Sequence, residues 1–189
     1  ASAAGCRVMS TQAHAAQPFR SLMVASPGPQ EGKTVTVLNL ALSLAMLPSL
    51  KVLVVDGDLR RGSVGKWLGV DDSPGLSNVL DGSARFEDVV LQCEGLPVHF
   101  VLRGNSKLPA AELLHSAGLG NHFRKMTGHY SLVLVDTPPV NLLADAQLIA
   151  AHCDAVLLIA RAFSTSRKEL EKAVRDMSRF RVIGTVLNG

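Results

Sequence analysis

A chain of 189 residues, 47% hydrophobic and only 4% aromatic, has the length of one globular domain with a mainly aliphatic core. A formal net charge of +3 is too small to indicate nucleic-acid binding, and the three cysteines and six histidines lack zinc or redox spacing. The longest apolar run, residues 35–47, is too short to span a membrane. Any membrane association is therefore expected to come through a partner or a part of a longer protein.

Residues 1–20 are rich in Ala, Ser and Gln, and we interpret them as an arm that contains a short helix around Cys6 to Gln12. A single domain is expected over residues 21–189. Strands are predicted over residues 21–25, 52–55, 98–102, 131–135, 155–160 and 182–187. Helices are predicted over residues 33–47, 64–68, 76–80, 86–91, 110–116, 121–127, 145–151 and 166–180. This alternation indicates an α/β fold with a doubly wound, mostly parallel sheet.

The segment 166–180 has the clearest amphipathic pattern. Its apolar residues at helical spacing are Leu170, Ala173, Val174 and Met177. Glu171 and Arg175 are four residues apart and are expected to pair on the outer face. We interpret the basic outer face of this helix as a solvated surface.

The stretch from Leu22 to Leu47 has the order of a phosphate-binding loop: an apolar strand, a Gly/Pro loop ending in GKT, and an apolar helix. Backbone N–H groups of such a loop and the amino end of the helix bind phosphate oxygens. Lys33 is expected to neutralise the terminal phosphates, and the Thr34 hydroxyl to bind Mg²⁺. The common pattern has glycine where this chain has Pro27. The residues expected to bind nucleotide are Gly28, Pro29, Gln30, Glu31, Gly32, Lys33, Thr34 and Val35.

Three carboxylates follow two apolar strands. Asp56 and Asp58 follow the strand at 52–55, and Asp136 follows the strand at 131–135. Ligands of doubly wound sheets bind beyond the carboxyl ends of the strands, where the phosphate loop also lies. One or two carboxylates suffice beside Mg²⁺, and a third is then available to accept a proton from an attacking hydroxyl.

These motifs together resemble those of the bacterial protein-tyrosine kinases, the BY-kinases. SPGPQEGKT resembles their phosphate loop, VVDGDLRR their Asp-rich Walker A′ box, and LVLVDTPPV their Walker B box. Further similar segments are GLSNVLDG, PAAELL, DAQLIA, DAVLLIARAFSTSRKEL and IGTVLNG. The resemblance extends over about residues 20–189 and implies a P-loop NTPase of the deviant-Walker group, which also contains the partition and septum ATPases.

The resemblance implies a role for each matching residue. Asp58 and Asp136 would hold Mg²⁺ with Thr34, Asp56 would take the proton of a tyrosine hydroxyl, and Asn188 would contact the adenine of ATP or ADP. The Walker A′ arginine, Arg60, receives no role. The family acts with membrane adaptors that control capsular or exopolysaccharide length and export. A location in the cytoplasm, at the inner face of the plasma membrane, and a possible homo-oligomer are therefore expected.

Two features depart from the family pattern. BY-kinases usually end in a cluster of tyrosines, whereas this chain has a single tyrosine, Tyr130, which is expected to be a core residue at the start of a strand. The oligomerisation motif E-x-x-R-x-x-R is also degenerate, because AGCRVMSTQ retains only Arg7.

Three functions therefore stay open. The first is a tyrosine autokinase domain of a polysaccharide assembly system. The second is a partition or septum ATPase, although Gly28 stands where that group carries its additional lysine. The third is a regulator that binds nucleotide without phosphotransfer.

Overall fold

The computed structural model describes residues 18–70, 72–142 and 144–189. The helix expected around Cys6 to Gln12 lies outside the described residues. The strands are β1 (Ser21–Ala25), β2 (Val52–Asp56), β3 (Val90–Gln92), β4 (Val98–Val101), β5 (Leu132–Asp136), β6 (Ala155–Arg161) and β7 (Val182–Asn188). The helices are α1 (Lys33–Ala45), α2 (Val64–Leu68), α3 (Leu76–Leu80), α4 (Phe86–Val89), α5 (Ala110–Leu114), α6 (Leu119–His129), α7 (Asp145–Ala150) and α8 (Arg167–Asp176).

The strands form one seven-stranded sheet in the order β3-β4-β2-β5-β1-β6-β7. Neighbouring strands are parallel except at the edge, where β3 runs antiparallel to β4. The central strands β1, β2 and β5 are buried along their whole length, which explains why each reads as a continuous aliphatic run. The predicted doubly wound, mostly parallel sheet is confirmed.

Two apolar clusters cover the two faces of the sheet, because successive strand residues point to opposite sides. Val37 of α1 and Val64 of α2 share one cluster with strand residues such as Val54. The helices α3 to α8 lie on the other face, where Phe123 and Ile149 share a cluster with alternate strand residues. The helix α1, which follows the phosphate loop, is therefore fixed by its packing against the central strands.

The predicted helix at 86–91 is wrong in its second half. The helix α4 ends at Val89, and residues 90–92 form the edge strand β3. The two helical pieces expected on either side of Gly120 also differ, since this glycine lies inside α6. The helix α1 ends at Ala45 rather than at residue 47, three residues before Pro48.

The helix α8 also differs from its predicted form. It spans Arg167–Asp176, where residues 166–180 were predicted. Ala173 and Met177 are buried as expected, but Val174 is exposed. Glu171 pairs with Arg167 at 2.8 Å rather than with Arg175. Ser166 caps the helix by accepting the N–H of Glu169, whose carboxylate in turn accepts the N–H of Ser166.

Tyr130 lies between α6 and β5 rather than on a strand. It is half-buried and packs against the core, and its hydroxyl contacts His99 Nδ1 at 2.8 Å. A cavity of about 440 Å³ near Lys51 is lined by both residues of this pair. Because Tyr130 precedes β5, this cavity lies at the sheet edge opposite to the one that carries Asp136.

Candidate active site

The carboxyl ends of β1, β2 and β5 bring the predicted site residues to one edge of the sheet. Asp56 and Asp136 are register partners on neighbouring parallel strands, and Val24 of β1 is in turn paired with Asp136. Strands paired in this way lie about 4.8 Å apart. The loop after β5 also contacts the phosphate loop, since the N–H of Val140 donates to the carbonyl of Ser26 at 2.9 Å. The expected convergence of loop and carboxylates is present.

Lys33 folds back over the phosphate loop. Its Nζ donates to Ser26 Oγ at 3.0 Å, and this hydroxyl donates to the carbonyl of Gly28 at 2.6 Å. Burial lowers the pKa of Lys33, and the nearby carboxylates, foremost Asp136, partly offset that effect. A buried ammonium group in this position is well suited to an incoming phosphate, which would supply the compensating charge.

Gly32 begins α1 in the left-handed conformation, with φ at +91°. A Cβ atom at this position would collide with Nδ2 of Asn188. The same Asn188 amide donates to the carbonyl of Glu31 at 3.1 Å. The structure thus places Asn188, at the end of β7, against the backbone of the phosphate loop, a contact that sequence reasoning did not suggest for it.

Gly32→Ala is expected to lower the free energy of unfolding more than Gly69→Ala. Gly69 also has a positive φ, +68°, but a Cβ there would meet nothing within 4 Å. Gly69→Ala therefore carries only the left-handed backbone cost of about 1–2 kcal/mol. Gly32→Ala adds the collision with Asn188, and we expect a further loss of about 1 kcal/mol or more in urea unfolding. Equal losses would show that the Asn188 side chain moves away without cost.

A cavity of about 580 Å³ opens over the phosphate loop. Its lining residues are Pro29, Gln30, Gly32, Lys33, Thr34, Val35, Asp58, Arg60, Arg61, Ser63, Trp67, Pro139 and Leu142. Gly28 and Glu31 belong to the same loop but are not among the lining residues. Glu31 is buried, and its Oε1 accepts the hydroxyl of Thr165 at 2.8 Å. Six of the eight predicted loop residues therefore face the cavity.

Asp136 and Thr34 form the centre of the predicted metal site. Thr34 Oγ1 donates to Asp136 Oδ2 at 2.5 Å. The other oxygen, Oδ1, is buried without a hydrogen-bond partner in the part of the chain that the structure describes. Burial raises the pKa of Asp136 to about 7, and the negative charge of Asp56 also raises it. Asp136 therefore has an unsatisfied oxygen and an electrostatic need for a cation.

These oxygen donors fit Mg²⁺. Asp58, a third predicted ligand, is nearly buried and lines the cavity beside Thr34. Its Oδ1 accepts the N–H groups of Arg60 and Arg61 at 3.3 and 3.1 Å. Within residues 18–70, 72–142 and 144–189 no group of three or more His, Cys, Asp or Glu side chains is arranged to hold a metal alone. A hydroxyl and one or two carboxylates agree with Mg²⁺, which keeps waters and takes phosphate oxygens as further ligands.

Asp56 is held by backbone N–H groups. Its Oδ2 accepts from Ser63 and Val64, at 2.8 and 2.9 Å, and its Oδ1 accepts from Asp58 at 3.2 Å. A carboxylate has about four acceptor positions, so one remains, on Oδ1. Burial raises the pKa of Asp56 to about 6, although the backbone hydrogen bonds oppose the shift. The side chain is thus fixed in orientation and more basic than an ordinary carboxylate.

Sequence reasoning missed the partner of Arg60. Its Nε donates to Asp145 Oδ2 at 2.6 Å and its Nη2 to Asp145 Oδ1 at 3.2 Å. Asp145 is buried at the start of α7, 85 residues away in the chain. The pair connects the loop after β2 to the segment after β5, and no local sequence signal indicates such a contact.

Asp136→Asn is expected to stabilise the chain at pH 7.5 in buffer without Mg²⁺ or nucleotide. The pKa of Asp136 is about 7 in the folded chain and about 4 when unfolded, so its stabilising contribution is complete below pH 4 and is lost as pH rises through 7. The asparagine still accepts the Thr34 hydroxyl and carries no charge. We expect a gain on the order of 2 kcal/mol at pH 7.5, and a smaller pH dependence between pH 4 and 7.

Chemical unfolding at several pH values measures this difference. Asp88→Asn is the control, because Asp88 is exposed and its partner Arg85 lowers the pKa of that carboxyl. The contribution of Asp88 to the free energy of unfolding therefore changes with pH only below about pH 4. An Asp136→Asn variant with the same pH slope as the unmodified chain would contradict the raised pKa.

Comparison with known proteins agrees with this geometry. Residues 29–181 match the model of the AAA domain family. The chain is 34% identical over 168 residues to the tyrosine-protein kinase ptk of Acinetobacter johnsonii, a match that covers 89% of this chain and 22% of that protein. It is 31% identical to the tyrosine-protein kinase CpsD of Streptococcus agalactiae, over 88% of this chain and 74% of that protein.

The solved structures give the same result. The kinase domain of the Escherichia coli tyrosine kinase ETK superimposes with a TM-score of 0.84 and 31% identity, over 90% of this chain and 67% of that one. The septum site-determining protein MinD of Pyrococcus horikoshii, complexed with Mg-ADP, gives a TM-score of 0.74 at 24% identity, over 88% of this chain and 68% of that one. The second likeness shows a shared fold alone.

The chain spans 20–23% of the length of ptk and two other curated relatives. No helix among the described residues is long and apolar enough to cross a membrane. The extent of the family match and the identity to CpsD nevertheless decide the assignment: the chain belongs to the AAA domain family and, within it, to the bacterial protein-tyrosine kinases.

Proposed function

We propose that residues 21–189 form the ATP- and Mg²⁺-dependent catalytic domain of a protein-tyrosine kinase that acts in capsular or exopolysaccharide synthesis and export. One observation carries this proposal: Thr34 of the phosphate loop is hydrogen-bonded to Asp136 at 2.5 Å, and Asp136 is the register partner of Asp56. A hydroxyl, a buried carboxylate and a second, backbone-fixed carboxylate thus meet beside the phosphate loop.

The loop residues 28–35 would bind the phosphates of ATP or ADP. Backbone N–H groups and the amino end of the 13-residue helix α1 direct partial positive charge into the cavity. Lys33 supplies a full charge from a nearly dry position, where an electrostatic interaction is stronger than in water. Asn188 lies on the β7 side of the loop, and we propose that the adenine binds on this side.

Thr34, Asp58 and Asp136 would hold the Mg²⁺ ion, the two carboxylates mainly through water. The ion, when bound, supplies neutralisation of the phosphate charges. The chain itself contributes the orientation of these oxygens, since β5 fixes Asp136 and the N–H groups of residues 60 and 61 fix Asp58.

Asp56 would act as the general base. The tyrosine hydroxyl gives its proton to the remaining acceptor position on Oδ1 while its oxygen forms a bond to the γ-phosphorus and the bond to ADP breaks. A carboxylate with a pKa of about 6 accepts a proton more readily than one with an ordinary pKa, and remains largely ionised at neutral pH. Positioning and charge neutralisation account for most of the catalysis in such a transfer.

Membership of the family also supports a proposal for the partner and the location. We propose that a membrane adaptor of the chain-length-determinant type activates the domain at the cytoplasmic face of the plasma membrane, with a homo-oligomer as a possible assembly. The second candidate function, a nucleotide-binding regulator without phosphotransfer, is favoured by Tyr130, which is half-buried and hydrogen-bonded to His99 at 2.8 Å.

Incubation with labelled ATP and Mg²⁺, with and without a candidate adaptor segment, tests the proposal. Label on tyrosine of an added acceptor protein supports the kinase. Nucleotide binding without label transfer supports the regulator. ATP hydrolysis that DNA or lipid stimulates would instead support a partition or septum ATPase and would contradict the kinase proposal.

A further inference from the structure

The active-site cavity has an apolar, solvent-exposed rim that the proposed chemistry does not use. Trp67 and Leu142 both line the cavity, with exposed fractions of 62% and 61%. Large apolar side chains exposed together at the rim of a pocket are a common feature of binding sites. Trp67 is also the single tryptophan of the chain.

The strand order places Trp67 on the acceptor side of the phosphate loop. In the sheet, β5 and β2 lie on one side of β1, and β6 and β7 lie on the other. Asn188 ends β7, whereas Asp56 ends β2 and is followed by α2, which carries Trp67. A nucleotide whose base lies toward β7 leaves the region next to β2 for the group that receives the phosphate.

Asp56, the proposed general base, and Trp67 belong to one rigid unit. Asp56 accepts the backbone N–H groups of Ser63 and Val64, the residues with which α2 begins. Val64 is fully buried and anchors this helix to the sheet, while Trp67 three residues later is on the exposed side. An aromatic ring that binds against Trp67 therefore has a fixed position relative to the Asp56 carboxylate.

A second, smaller cleft of about 60 Å³ reaches Asp56; it shares Arg61 with the larger cavity, and Lys66, Asp72 and Arg103 also line it. A cleft of this size has room for about one or two water molecules, so a hydroxyl can enter it and an aromatic ring cannot. The ring of an acceptor tyrosine would remain in the larger cavity, where Trp67 and Arg61 are both lining residues.

The charges around the rim indicate what surrounds the acceptor tyrosine. The side chains of Arg61 and Lys66 are exposed, and neither forms a hydrogen bond or ion pair with any residue that the structure describes. Arg60, by contrast, is paired with the buried Asp145. Two cations without partners beside an aromatic platform are complementary to a tyrosine with acidic neighbours.

We propose that Trp67 and Leu142 form the docking site of the protein acceptor, a segment in which a tyrosine is flanked by acidic residues. The tyrosine ring packs against Trp67, and the acidic side chains pair with Arg61 and Lys66. This inference rests on the proposed kinase function and adds the specificity of the acceptor to it.

Three ten-residue peptides test the docking site: one with a central tyrosine among glutamates, one with the tyrosine among lysines, and one with leucine among glutamates. With ATP and Mg²⁺, the unmodified chain is expected to show a kcat/KM about 10-fold or more higher for the acidic than for the basic tyrosine peptide. Trp67→Ala is expected to raise the KM for the acidic peptide about 10-fold, with the KM for ATP within about 2-fold. Trp67→Phe keeps a ring and should stay near the unmodified value.

Two further variants separate docking from folding. Arg61→Glu is expected to remove or reverse the preference for the acidic peptide. Met46→Ala, a truncation of another exposed apolar side chain, at the far end of α1 about 20 Å from the phosphate loop, should leave all constants unchanged. Equal melting temperatures show that each variant is folded.

Tryptophan fluorescence reports on docking without any turnover. Titration with the acidic tyrosine peptide should change the emission of Trp67, and the leucine peptide should change it much less. A response without phosphotransfer would contradict the kinase function and support the docking site. Phosphotransfer with peptide KM values that do not depend on Trp67 would support the kinase and overturn the docking site. If the emission of Trp67 changes with protein concentration when no peptide is present, the docking site is also overturned, because a second copy of the chain then covers the rim.

Discussion

Replacing Lys33 by methionine is expected to abolish the rise in melting temperature that ATP or ADP with Mg²⁺ causes in the unmodified chain. At a nucleotide concentration of 100 Kd, binding stabilises the folded state by about 2.7 kcal/mol. For a chain of this size the melting temperature should rise by roughly 5–10 °C. Lys33 is buried and its Nζ donates to Ser26 within the loop, so its charge lies beside the proposed phosphate site.

Differential scanning fluorimetry with and without Mg-ADP measures both quantities. The methionine keeps the apolar stem and removes a buried charge, so the melting temperature without ligand should stay the same or increase. Lys51→Met is the matched control, because Lys51 is exposed and precedes β2 at the opposite edge of the sheet. A nucleotide-induced shift that persists in Lys33→Met would show that the phosphates bind elsewhere.

Asp56→Asn is expected to reduce phosphotransfer to a tyrosine peptide by about 100- to 10,000-fold, the usual contribution of a general base. Nucleotide binding should remain, since Asp56 is not among the residues proposed to hold the phosphates or the metal. The amide oxygen can still accept the N–H groups of Ser63 and Val64. The amide nitrogen cannot accept the N–H of Asp58, and the loss of this hydrogen bond costs about 1–2 kcal/mol of stability.

Initial rates with labelled ATP, and the Mg-ADP melting shift, distinguish the possible roles of Asp56. Asp72→Asn is a suitable control, because Asp72 lines the same small cleft and its φ of +61° is one that asparagine tolerates. If Asp56→Asn loses nucleotide binding and phosphotransfer together, Asp56 is a structural or metal-binding residue and not the base.

The sequence predicted the central fold well because the decisive signals are local. Aliphatic runs identified β1, β2 and β5, and the short helices at 64–68 and 76–80 have the predicted bounds. The strand β3 was missed because three residues cannot show an alternating pattern, and its existence depends on pairing with β4. By contrast, the capping box of Ser166 and Glu169 was readable from the sequence and would have fixed the start of α8.

The candidate site was predictable where one loop or one strand end carries the residue. Thr34, Asp56 and Asp136 meet because parallel strands end at the same edge. Contacts that depend on tertiary packing left no signal in the sequence, and the ion pair of Arg60 with Asp145 is the clearest case. The contact of Asn188 with the phosphate loop likewise depends on where β7 ends relative to β1, which residue spacing does not encode.

The position of Tyr130 has a practical consequence for assays. Tyr130 precedes β5, and Asp136 ends it, so the phenol lies on the order of 15–20 Å from the phosphate loop of its own molecule. Because its hydroxyl is hydrogen-bonded to His99, this side chain cannot reach the phosphate-binding site of its own molecule in the folded chain. Since it is the single tyrosine, a blot of the purified chain with an anti-phosphotyrosine antibody should be blank, and every band then reports on the added acceptor.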